Sequence, residues 1–162
     1  MSERALLAAQ GYLELGMVEE ALAELVAVQT PAITDPDLIE LRLHILMQGG
    51  RWSDALASAE ELLRLNSSAL PAYIHGAFAL HELGRTAEAR DLLLRGPEVL
   101  RNDPTFHYNI GCYEAVLGNC DSAIQSLEKS FALDETYRDL QNRTLILRRS
   151  APNCSKDEHL RS

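Results

Sequence analysis

Four glycines recur in this chain at a fixed interval of 34 residues, Gly16, Gly50, Gly84 and Gly118, and an alanine follows each at one offset: Ala21, Ala55, Ala89 and Ala123. A register that never slips over most of a chain marks an array of helix-turn-helix units, each of which buries its apolar face only against its neighbours. The two residue types do different work. Each glycine closes an apolar helical run, as in Leu15-Gly16, Leu83-Gly84 and Leu117-Gly118, where a left-handed backbone residue ends the helix. Each alanine falls about one turn into the next helix, where a small side chain lets two backbones approach and a bulky one would push them apart.

The apolar periodicity predicts helices over 3–15, 18–29, 36–48, 52–65, 70–83, 86–101, 104–117 and 120–133, then a last one over 136–149. Short turns between them make neighbours antiparallel. Asp35-Pro36 and Asp103-Pro104 place an N-cap candidate before a proline, and Trp52-Ser53 and Asn119-Cys120-Asp121 offer cap-like polar groups at second helices. Gly96-Pro97 should interrupt the sixth helix, because Pro97 has no amide to donate and crowds the carbonyl behind it.

Counting from the glycines, the fourth unit holds His107, Ile110-Gly111, Gly118, Ala123, Leu127 and a closing Phe131-Ala132-Leu133-Asp134. The third holds Tyr73, Gly76-Ala77, Leu80, Gly84, Ala89 and Leu93, and the first Ala8-Ala9, Tyr12, Gly16, Ala21 and Leu25. In these residues the chain resembles the tetratricopeptide repeat proteins, over about 135 of its 162 residues. The resemblance implies an all-α fold, a right-handed superhelical solenoid of four repeats at about 2–35, 36–69, 70–103 and 104–137. A capping helix over 136–149 and a flexible tail over 150–162 complete it. The second repeat departs most: Ile39, Leu46, Gly50, Trp52 and Ala55 stand as expected, but Arg42-Leu43 replaces the usual leucine and small residue, and Ala59 takes a large position. A looser or locally rotated pair is expected there.

Composition narrows the function classes. With 46% apolar but only 6% aromatic residues, the chain suits small-residue helix packing better than a sandwich or barrel. No apolar run is long enough to span a membrane, and the N-terminus lacks a cleavable apolar segment, so the expectation is a cytoplasmic protein without membrane insertion. Residues 1–135 carry 21 acidic against 9 basic side chains, while residues 136–162 carry 3 against 6. An acidic body repels phosphate backbones, which argues against nucleic acid. Cys112, Cys120 and Cys154 form no CxxC pair and read as reduced thiols, with no metal site and no cofactor. His44, His75, His81 and His107 lie on first helices but accompany no nucleophile motif, so no catalytic residue is assigned and an enzyme is the weakest alternative.

Function is therefore expected on the face lined by the first helix of each pair, with a protein or peptide as partner and self-association as an open option. The family's groove positions, carried over through the glycine register, are Glu3, Leu6, Gln10, Leu13 and Glu14 in the first repeat. Asp37, Glu40, His44, Met47 and Gln48 follow in the second. Pro71, Ile74, Phe78, His81 and Glu82 line the third, and Thr105, Tyr108, Cys112, Ala115 and Val116 the fourth. This set has an apolar floor, carboxylates as its only fully charged members, and no lysine or arginine. It implies a ligand with apolar anchors and basic flanks. Relatives that clamp a C-terminal carboxylate use lysine and asparagine where this chain has Leu6, Gln10, Leu41, Pro71 and His75, so that mode is contradicted. A bacterial secretion-type chaperone holding an unfolded cargo segment is the alternative of the same architecture. Leu6, Ile74 and Phe78 have a blander reading too, as residues packed on adjacent helices or on a second copy.

Overall fold

In the computed structural model, residues 3–27 and 35–138 are described, and among them there is no strand. The helices are α1 (Glu3–Glu14), α2 (Val18–Ala27), α3 (Pro36–Gln48), α4 (Trp52–Leu65), α5 (Leu70–Glu82), α6 (Thr86–Leu94), α7 (Pro104–Val116) and α8 (Cys120–Leu133), with a 3-10 turn over Glu98–Asn102. Thr136 to Arg138 are helical again. The rest of the expected capping helix, the expected tail and the end of the second helix lie outside the described residues.

All four periodic glycines adopt positive φ, between 65° and 84°, and no other described residue does so. At Gly118 the amide donates to the Ala115 carbonyl (3.2 Å) and the following Asn119 amide donates to Glu114 (2.8 Å). Gly16 and Gly50 repeat this pair of bonds, from Gly16 to Leu13 and Met17 to Tyr12, and from Gly50 to Met47 and Arg51 to Leu46. This Schellman arrangement satisfies carbonyls that the helix end leaves free, and it turns the chain back on itself. The periodic alanines are buried to within 2% of full burial.

Two compact units divide at Leu83 and Gly84. In the first, α1 packs on α2, α3 on α4 and α4 on α5, while α1 touches α3 and α3 touches α5. The first helices of successive pairs are thus direct neighbours, and α2 and α4 back them. The α3–α4 pair is not loose: Ile39, Leu43, Ala55, Ala59 and Leu62 are almost wholly buried. Arg42 is accommodated because its guanidinium runs across to α4, donating to Ser58 Oγ (3.1 Å) and pairing with Glu61.

In the second unit α6 and α8 both pack on α7. The helix before Pro97 stops at Leu94 and restarts as the 3-10 turn, as the Gly-Pro step requires. Arg101 closes the break. Its guanidinium donates to the carbonyls of Leu94 (2.9 Å), Gly96 (3.3 Å) and Pro97 (3.4 Å), and lies 5.4 Å from the centre of the Phe106 ring. Asp35 and Asp103 cap α3 and α7 by accepting from the amides of Asp37 (3.0 Å) and Thr105 (2.8 Å). Asn119 does not cap α8 through its side chain; it donates instead to Glu114.

Candidate partner-binding face

The expected partner-contacting side chains of the first three repeats sit on α1, α3 and α5, which adjoin one another in the first unit. Gln10, Glu14, Asp37, Gln48 and Glu82 are exposed, whereas Glu40, His44, Met47, Ile74, Phe78 and His81 are half-buried. Leu6 and Leu13 are half-buried, packing with Tyr12, Val18 and Leu22 against a core of Ala9, Ala21, Leu25, Leu38 and Ile45 from α1, α2 and α3. The apolar part of the face therefore centres on α3 and α5. Phe78 there stands edge-on to Trp52 at the start of α4, with ring centres 5.7 Å apart.

The electrostatics of the face follow from the helices that build it. α5 contains no lysine or arginine, α1 has only Arg4, and the only one on α3, Arg42, is engaged by Glu61 of α4. The carboxylates Glu14, Asp37, Glu40 and Glu82 are consequently not matched by a cation of α3 or α5. His81 is held below the ordinary histidine range by burial, which outweighs the opposing influence of Glu82.

One contact on this face was not expected. His44 of α3 and His75 of α5 meet with their Nε2 atoms 3.1 Å apart and their rings edge-to-face. Burial, reinforced by the neighbouring His44, pushes His75 down to about 4. The sequence held a signal for it: the repeat period carries position 44 onto Phe78, and His75 lies one turn earlier on the same side of α5. The repeat pattern marks Trp52, half-buried behind Phe78, only as a packing residue.

In the second unit α7 carries the fourth set. Cys112 is only 9% exposed, and burial raises its thiol to about 11 against a hydrogen bond from Tyr108. Ala115 is buried as well. Thr105 and Tyr108 are met by Tyr137, from the turn after α8: the Thr105 and Tyr137 hydroxyls are 2.7 Å apart, and the two tyrosine rings 5.4 Å. His107 is taken up by the Arg101 carbonyl at 2.8 Å. Among the described residues no group of three or more His, Cys, Asp or Glu could hold a metal ion, and no helix is long and apolar enough to cross a membrane. The cysteines depart from expectation: Cys112 is a free thiol, but Cys120 is part of a disulfide.

Helical hairpins closed by positive-φ glycines, with first helices in contact, define a helical repeat protein. Residues 46–108 match the tetratricopeptide repeat family pattern. Among solved structures, the segment of MamA from residue 41 to its end, from Desulfovibrio magneticus RS-1, is 18% identical, with a TM-score of 0.75 over 96% of this chain and 92% of that one. A MamA RS-1 double mutant is 20% identical, with a TM-score of 0.78 over 99% and 89%. A thermophilic tetratricopeptide protein of Thermus thermophilus is 18% identical, with a TM-score of 0.67 over 83% and 75%. At these identities the likeness is one of fold. No curated protein sequence matches the chain.

Proposed function

We propose that this protein is a protein-interaction scaffold whose α1–α3–α5 face binds a peptide or partner segment with apolar anchors and basic flanks. The observation that carries the reading is the face itself: Met47, Ile74 and Phe78 lie half-buried beside Glu40 and Glu82, and no lysine or arginine of α3 or α5 is left to match those carboxylates. Covering one phenylalanine-sized side chain contributes about 2 kcal/mol, against about 0–1 kcal/mol for an exposed ion pair. Affinity should therefore rest on the apolar residues, while the carboxylates select the partner and speed its arrival. A polypeptide-binding role needs no catalytic group. The secretion-type chaperone reading shares this face and is told apart by cargo alone.

Trp52 supplies the assay, since it is the chain's only tryptophan and touches Phe78. Titrating a basic amphipathic peptide should change its fluorescence. Phe78→Ala should weaken binding by roughly tenfold or more. Glu82→Lys, an exposed change, should weaken it mainly at low salt. Equal affinity of the wild type and both variants would remove the proposed face.

A further inference from the structure

We propose that His44 and His75 form a two-imidazole clip for one divalent cation of the nickel or zinc kind, set within the α3–α5 face. The argument starts from distance. Metal–nitrogen bonds of about 2.0–2.1 Å put two nitrogens of one ion roughly 2.9 Å apart at a right angle and roughly 3.3 Å apart in a tetrahedron. The two Nε2 atoms stand 3.1 Å apart, between those values. Their spacing is set by the contact of α3 with α5, so both ligands are placed before an ion arrives.

Chemistry agrees with geometry. Imidazole suits nickel and zinc, and it binds them in its neutral form. The closeness of the two nitrogens requires that one ring donate its Nε2 proton to the other. Loading moves that proton to Nδ1 of the donating ring, so both Nε2 lone pairs become available to the ion and no proton need be released. Both residues are half-buried. Among the described residues no third His, Cys, Asp or Glu completes the set, so water or a donor from a bound partner fills the remaining positions.

Calorimetric titration of the untagged, full-length protein with Ni2+ tests the clip. One ion per chain is expected, with His44→Ala and His75→Ala each weakening binding at least tenfold, and the double variant no weaker than either single one. His81→Ala, His107→Asn and His159→Asn should bind as the wild type does. His44→Gln, which keeps a hydrogen-bonding side chain beside His75, should also lose the ion while retaining the wild-type circular dichroism and melting temperature. No binding by the wild type at millimolar Ni2+, unchanged binding by the His44 and His75 variants, or a loss that follows another histidine would each overturn the proposal.

Discussion

Gly111 offers a sharp test of how the second unit is held together. It lies inside α7, and a Cβ built there would stand 2.7 Å from Leu127 Cγ, 2.9 Å from Leu127 Cδ2 and 3.2 Å from the Ala123 carbonyl oxygen. Ordinary carbon contacts lie at about 3.5–4.0 Å. Leu127 is only 4% exposed and Cγ is its branch point, so the side chain cannot swing aside; α8 must shift. Overpacking of this sort costs about 1–3 kcal/mol, while exchanging a helix-interior glycine for alanine returns about 1 kcal/mol. Gly111→Ala should thus destabilise by about 1 kcal/mol, read as a lower urea midpoint by circular dichroism. Gly11→Ala is the control: Gly11 lies within α1, and a methyl group added to it would meet nothing within 4 Å, so the same exchange should stabilise by about 1 kcal/mol. In a double-mutant cycle, Leu127→Ala should cost about 2–5 kcal/mol alone and measurably less beside Gly111→Ala, with a coupling of about 1 kcal/mol. If Gly111→Ala stabilises as Gly11→Ala does, the close approach of α7 and α8 at this point is refuted.

Gly118→Ala meets no neighbour within 4 Å but must hold φ near 84°, so strain alone should lower stability by about 1 kcal/mol in urea unfolding. Asp103→Ala removes the cap of α7 and should cost about 1 kcal/mol, whereas Asp103→Asn should cost much less. His81 has a folded-state proton affinity below that of the unfolded chain, so stability should be fully present above pH 6.5 and fall as the medium is acidified towards the lowered value. Urea midpoints from about pH 7 to about pH 5 should show a shallower decline in His81→Gln.

The helical register was legible because its causes are local. A left-handed turn selects glycine, so Gly16, Gly50, Gly84 and Gly118 announce four helix ends, and Asp35 and Asp103 announce two starts before prolines. Pro97 breaks a helix whatever surrounds it. The pattern also marked Ala123 as a small residue where two helices approach closely, and the structure places Gly111 of α7 at that approach, against Ala123 and Leu127. Other readings depended on which helix lies opposite. Arg42 looks like a misfit in the second pair until Ser58 and Glu61 on α4 are there to receive it. Leu6 and Leu13 look like groove floor, but α2 and α3 supply a core for them.

What the order of residues determined by itself is the set of helices, their ends and the face each presents, because capping, φ preference and apolar spacing act within a few residues. What tertiary structure alone decided is which side chains converge: His44 on His75, Phe78 on Trp52, Tyr108 under Tyr137. Those meetings depend on the offset and angle between packed helices, and a shift of one turn, about 5.4 Å, would replace every partner while leaving the repeat pattern intact.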